Sequence, residues 1–280
     1  MALNQAQVKG KIKNKAKANK ADARVLMRIY MMERFLERIA HSKYSENFII
    51  KGGILVTAMV GISMRSTMDI DTSIINLNLS ENDAEKMVGE ICNIDLDDNV
   101  TFVVKDILRI MDNMEYPGIR LALDAMLGKM ITPIKIDIST GDAITPRAIE
   151  FNFHLMLEDR SIRLWSYNLE SLLSEKLQTI LARGVLNTRM RDFYDVYALL
   201  FRYESEINHD VFKQAFEATC EHRNSSALVK QGLVIIDSIA NDETLITLWK
   251  AYQKKYAYAS GIAYDSVIEH IRRLFALLMK

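Results

Sequence analysis

Asp69 and Asp71 stand two residues apart in the run Thr67-Met68-Asp69-Ile70-Asp71-Thr72, whose alternation predicts a strand. On a strand, residues two apart share a face, so both carboxylates point the same way while Met68 and Ile70 point the other. Side by side they repel each other, and a divalent cation that prefers oxygen removes that cost. A solvated strand face would carry the same residues. Asp137 sits in a second predicted strand, facing away from Ile134, Ile136 and Ile138. If the two strands are neighbours, three carboxylates converge, which suits one or two Mg²⁺ (or Mn²⁺) ions whose remaining positions go to water and phosphate. Lys51-Gly52-Gly53 separates a short predicted strand from a helix. Unpaired backbone N–H groups at a helix start attract phosphate, and glycine lets the backbone come close; a plain tight turn would use the same pair. Lys176 falls within about 40° of Leu169, Leu172 and Ile180 on a helical projection, so it lies on an apolar stripe. A lysine there either snorkels to water or meets an anion. Asp192 and Asp195 border the apolar face formed by Phe193, Val196, Tyr197 and Leu200. They complement a helix dipole or work with Lys176.

The elements that must hold these groups change in kind along the chain. Short strands are predicted at 48–50, 67–75, 100–104, 120–123 and 134–138, interleaved with helices at 21–39, 54–60 and 80–91, the last capped by Ser80. After about residue 165 only helices are predicted, at 169–181, 191–201, 210–220, 242–254 and 264–278. The expected class is α+β: a mixed sheet with flanking helices over 21–160, then a helical domain over 161–280. The 280 residues are 49% apolar and 26% charged with few glycines and prolines, which excludes collagen-like and low-complexity chains. Two cysteines and five scattered histidines offer no zinc or disulfide pattern. The longest uncharged apolar run, 52–64, is too short to span a bilayer, and the expected location is the cytoplasm.

Residues 1–24 hold seven basic residues against one acid, although the chain as a whole is neutral. Lysines at 9, 11, 13, 15, 17 and 20 alternate with small or polar residues, so 1–20 reads as a flexible basic tail. It is either a solvated terminus or an arm that captures phosphate backbone.

The stretch from Lys51-Gly52-Gly53 through Arg65-Ser66-Thr67-Met68-Asp69-Ile70-Asp71 resembles the first motif of the nucleotidyltransferase superfamily. It is most similar to the AbiEii/AbiGii toxin branch, from type IV toxin–antitoxin and abortive-infection systems. The resemblance continues through Lys135-Ile136-Asp137-Ile138, Ser174-Glu175-Lys176-Leu177 and Arg189-Met190-Arg191-Asp192-Phe193-Tyr194-Asp195. It implies an Mg²⁺-dependent nucleotidyltransferase, with NTP as substrate, tRNA as acceptor and a cognate antitoxin as partner in phage defence. Asp69, Asp71 and Asp137 would hold metal. Lys51, Gly52, Gly53, Arg65, Ser66, Thr67 and Lys176 would meet the nucleotide. Asp192 or Asp195 would position Lys176 or a metal-bound water. Relatives often place Ser or Thr after the glycines, where this chain has Ile54; Ser63, Ser66 or Thr67 would then supply the hydroxyl. Competing readings are a small-molecule nucleotidyltransferase of the antibiotic-modifying kind, a protein-modifying transferase, and a non-catalytic binding module.

Overall fold

Alternation governs the first half of the chain and sets a one-sided sheet. In the computed structural model, which describes residues 3–19, 21–77, 80–110 and 118–279, two compact units form. The first comprises Met1–Gly141 and Ile149–Ser166; the second comprises Asp142–Ala148 and Tyr167–Lys280. The α+β expectation holds: a mixed sheet with helices, then a run of helices.

The first unit contains α1 (Gln5–Asn19), α2 (Ala23–His41), β1 (Phe48–Lys51), α3 (Gly52–Val60), β2 (Ile70–Ile74), α4 (Glu81–Cys92), β3 (Val100–Ile110), β4 (Gly118–Leu127), β5 (Met130–Thr140), β6 (Ile149–His154) and β7 (Ser161–Ser166). The seven strands form one sheet in the order β3-β4-β5-β2-β1-β7-β6. β2 pairs parallel with β5 and antiparallel with β1; β1 pairs parallel with β7. In β5, Thr132, Ile134, Ile136 and Ile138 are buried while Ile131, Pro133 and Lys135 are exposed. β4 repeats the pattern with Ile119, Leu121, Leu123, Ala125 and Leu127 inside. α2 packs on β5 and β7, and each fully buried aliphatic side chain in this layer contributes about 1.5–3 kcal/mol. The odd-numbered residues of β5, Asp137 among them, therefore point away from α2.

α2 also buries charge. Arg38 donates bidentately to Asp98, at 2.8 Å each, and to the Val100 carbonyl. Arg34 pairs with Glu37 and Glu158 at 3.0 and 2.8 Å, and Arg160 bridges the same two acids. Burial pushes the neighbouring Glu33 carboxyl up to about 8, while it accepts from the Met156 N–H. α2 is thereby tied to the β6–β7 turn.

Three differences from the sequence reading in this unit have physical causes. The lysine-rich segment is a helix, α1, and not a flexible tail. Val8, Ile12 and Ala16, spaced by four, form a narrow seam buried in the unit. On the helix Lys9, Lys13 and Lys17 fall to one side of that seam, Lys11 and Lys15 to the other, so period-two lysines do make stripes. Lys15 donates to the Met156 carbonyl at 2.7 Å, and Lys11 to that of Leu157 at 3.3 Å. β6 and β7 were not expected; β7 pairs with β1, which extends the sheet unit past 160 to Ser166. β6 is an edge strand with only Phe153 buried, so it lacks an apolar alternation. Finally, β2 begins at Ile70 and not at 67. Its partner β1 ends at Lys51, opposite Asp71, where the chain turns into α3, and residues before Ile70 have nothing to pair with on that side.

The second unit contains α5 (Leu169–Arg183), α6 (Met190–Tyr203), α7 (His209–His222), α8 (Leu228–Ala240), α9 (Glu243–Lys255) and α10 (Tyr264–Ala276). Asn168, Asn208 and Asp242 cap α5, α7 and α9 by accepting from the third backbone N–H, each worth about 1 kcal/mol. Its core includes Leu172, Leu177, Phe193, Leu200, Phe216 and Phe275. α8 was not expected. Gly232 sits mid-helix because a Cβ there would come within 2.1 Å of the Phe275 ring on α10. Among the described residues no helix is long and apolar enough to cross a membrane.

Candidate active site

A row of charged residues crosses the sheet of the first unit. Lys51 on β1 lies opposite Asp71 on β2, Asp71 opposite Asp137 on β5, and Asp137 opposite Arg120 on β4. Residues directly opposite share a face, and adjacent strands are about 4.8 Å apart. Two acids are thus bracketed by two bases, all four half-buried. Arg120 grips Asp137 with both prongs, Nε to Oδ1 at 2.7 Å and Nη2 to Oδ2 at 2.6 Å. The hydrogen bond to Asp137 raises the Arg120 pKa most; partial burial opposes this, and the charges of Asp137, Asp69 and Asp71 add to it. All three predicted carboxylates therefore act on one guanidinium. Asp69 lies in the bend just before β2 and not on the strand.

The glycine pair makes room for this arrangement. Gly52 has φ +59°, and a Cβ on it would meet Asp71 Oδ2 at 2.3 Å. A Cβ on Gly53 would meet Thr67 Oγ1 at 2.8 Å and Arg65 Nη2 at 3.2 Å. The Gly53 N–H donates to Asp71 Oδ2 at 3.0 Å, so the start of α3 already holds a carboxylate. Arg65 and Thr67 are buried beneath it, at 0% and 2% exposure; Arg65 donates to the Ser66 carbonyl. Ser66 is half-buried, Ser63 is exposed, and Ile54 is buried in the core.

Among the described residues, no group of three or more His, Cys, Asp or Glu side chains is gathered closely enough to hold a metal ion. Both oxygens of Asp137 are held by Arg120. The remaining oxygen donors, Asp69 and Asp71, still fit Mg²⁺, which is commonly held by one or two carboxylates together with substrate phosphates.

Lys176 and its acids form a separate cluster in the second unit. Lys176 Nζ lies 2.7 Å from Asp192 Oδ1 and 2.9 Å from Asp195 Oδ2. Both acids are buried, at 2% and 0% exposure. The lysine on the apolar stripe of α5 thus meets anions and does not snorkel, and the anions are the protein's own. Burial pulls its pKa down, but Asp192 and Asp195 outweigh that and hold it above the ordinary lysine value. Arg189 Nε reaches Asp192 Oδ2 at 2.9 Å. Arg191 instead donates to the Tyr256 hydroxyl at 3.1 Å.

Arg120 is the residue that the sequence did not reveal. It was read as part of a strand, and only the β4–β5 register places it on Asp137.

A family model described as "Nucleotidyl transferase AbiEii toxin, Type IV TA system" matches residues 34–270. A search of curated proteins found no match. Among solved structures, a Helicobacter pylori protein described as a nucleotidyltransferase aligns with TM-score 0.51 and 16% identity, over 91% of this chain and 93% of its own. JHP933, also from Helicobacter pylori, aligns with the same TM-score and identity over 91% and 90%. At that identity the likeness speaks for the fold alone. The family match covers most of the chain, including every motif above: this protein belongs to the AbiEii nucleotidyl transferase toxin family of type IV toxin–antitoxin systems.

Proposed function

We propose that the protein transfers a nucleoside monophosphate from an NTP to an acceptor hydroxyl, with tRNA as the acceptor. The observation that carries this is the row Lys51–Asp71–Asp137–Arg120 with Asp69 beside it. Acids and bases alternate on one sheet face, at the start of a helix, where both a cation and a phosphate chain find partners.

Asp69 and Asp71 would hold a divalent cation, which when bound neutralises phosphate charge and acidifies the acceptor hydroxyl. The chain's own groups do the rest. Lys51 attracts the triphosphate to the end of β1. Gly52, lacking a Cβ, leaves room for the Asp71 carboxylate. Arg120 fixes Asp137, which takes the proton of the acceptor hydroxyl. The acceptor oxygen forms a bond to the α-phosphorus, the α–β bridging bond breaks, and pyrophosphate leaves. In the second unit Lys176 is held in place by Asp192 and Asp195 as a compact cation. Most of the acceleration is positioning and charge neutralisation. The family implies a cognate antitoxin protein that counters this activity.

The test incubates the pure protein with each labelled NTP and Mg²⁺, with total tRNA or with buffer alone. Label appearing in tRNA supports the proposal. Label appearing in the protein, or in no acceptor across all four NTPs, overturns it.

A further inference from the structure

The first unit contains a concave feature that the proposed chemistry does not use. A cavity of about 400 Å³ opens between α1, the start of α2 and the start of β5. Its walls include Ile12, Met27, Met130 and Ile131, the last 60% exposed. Its rim carries Lys9, Lys13, Arg24 and Arg28, and among the described residues no carboxylate lines it. Arg24 shares its charge with exposed Asp22; such a surface pair is weak. The pocket is therefore apolar inside and positive at the mouth.

Two connections lead from it to the charged row. Pro133 and Asp137 lie on the same strand and the same side of it, four residues or about 13 Å apart. Arg28 donates to Met68 Sδ at 3.2 Å, and Met68 directly precedes Asp69. Over this stretch β5 has no partner on the β2 side, because that pairing begins at Ile136. A chain whose end reaches Asp137 continues past the start of that pairing toward the cavity.

We infer that this cavity seats an unpaired nucleotide of a single-stranded polynucleotide acceptor, upstream of its reacting end. The base enters the pocket lined by Met27, Met130 and Ile131, and the flanking phosphates meet Lys9, Lys13 and Arg28. Methionine side chains adapt to flat, polarizable surfaces without demanding one base, and the cationic rim contributes affinity rather than sequence preference. The lysine-rich helix thus acts as a fixed wall of a subsite. This inference rests on the nucleotidyltransferase reading but concerns binding only, so it is tested without turnover.

The experiment measures binding of a single-stranded RNA dodecamer to the full chain by fluorescence anisotropy across a salt series, with inorganic triphosphate as a second probe. Replacing Lys9 and Lys13, both exposed, by Ala should lower the log–log salt slope by about 1.4, from about 0.7 per phosphate contact on single strands. Triphosphate binding should stay unchanged. An abasic nucleotide walked inward from each end should weaken wild-type binding about tenfold at one position near the reacting end, as expected for loss of a seated base. Equal loss at every position, or an unchanged salt slope in the double variant, overturns the inference. So does tight binding of an acidic peptide that needs the same lysines when RNA does not bind. Should RNA bind as expected while no nucleotide transfer occurs, the seat stands and the transferase reading fails; transfer without position-specific binding gives the reverse.

Discussion

The charged row of the first unit and the lysine cluster of the second use the same residue types in opposite ways. On the sheet, Lys51, Asp71, Asp137 and Arg120 are half-buried and alternate in sign. Their Coulomb interactions are partly screened, and water can exchange for a ligand at little cost. In the helical unit, Lys176, Asp192 and Asp195 are withdrawn from water and pair with one another. Desolvated charges depend on their partners, because removing one strands the others in a low dielectric. The first arrangement is suited to meeting foreign charge. The second is suited to staying fixed.

The largest expected effect lies in the closed cluster. Lys176→Met takes the ammonium from buried Asp195 and leaves Asp192 with Arg189 alone, and should cost about 3–5 kcal/mol of stability. A lysine alone on an apolar stripe would give the opposite sign, with Met neutral or stabilising, and urea unfolding separates the two outcomes. The raised Lys176 pKa adds a pH signature. A group whose folded pKa exceeds its unfolded value stabilises fully below the unfolded pKa and loses that contribution as pH rises through the folded one. The penalty of Lys176→Met should therefore stay level from about pH 6 to about pH 9, both below the ordinary lysine value. A penalty that vanishes by pH 9 would break the picture of a closed cluster.

Next comes the open row. Asp69→Ala and Asp71→Ala should each lower turnover by about 10²–10³-fold, the scale of losing one preorganised charge contact. Their stabilities should differ. Asp71 accepts from the Gly53 N–H, so its loss should also cost about 1 kcal/mol in the manner of a missing helix cap. Asp69 makes no such cap and should melt as wild type. Parallel turnover and thermal melts check both, and equal melting of the two variants would remove Asp71 from its place at α3.

How much of this was legible follows from the same contrast. Periodicity showed that Lys176 faces inward and that Asp137 faces away from Ile134, Ile136 and Ile138, since both are properties of one element. The order of motifs led to the family. Partners across elements were hidden. Neither the Arg120–Asp137 fork nor the shared grip of Asp192 and Asp195 on Lys176 can be read from one strand or one helix, because each depends on register or packing. α1 was missed for another reason. Its seam of Val8, Ile12 and Ala16 is only one residue wide, too thin to stand out among six lysines. α8 was hidden by Gly232, a poor helix residue retained for its contact with Phe275.

A smaller effect is expected where the two glycines meet the row. Gly52→Ala asks an L residue to hold φ +59° and brings a Cβ onto Asp71 Oδ2. The backbone term alone is about 1–2 kcal/mol. Because the clash displaces the Asp71 carboxylate, turnover should fall by more than the stability loss explains. A variant that loses stability and keeps its turnover would show that the glycine serves the turn and not the acid.

The smallest expected effect discriminates most sharply between open and closed. Arg120→Lys keeps the charge beside Asp137 but removes the two-pronged grip, which an ammonium cannot reproduce. Arg120 is 37% exposed at its side chain and Asp137 18%, so water and salt already weaken the pair. The change in stability should stay below about 1 kcal/mol, the range of exposed ion pairs, and shrink further at high salt. Asp137, no longer held in one orientation, should meet the acceptor less often, and turnover should drop about tenfold with NTP affinity nearly constant. Urea unfolding at low and high salt, paired with initial rates, reads both quantities. A stability loss near that of Lys176→Met, insensitive to salt, would mean that the sheet row is as closed as the helical cluster and that its acids are structural.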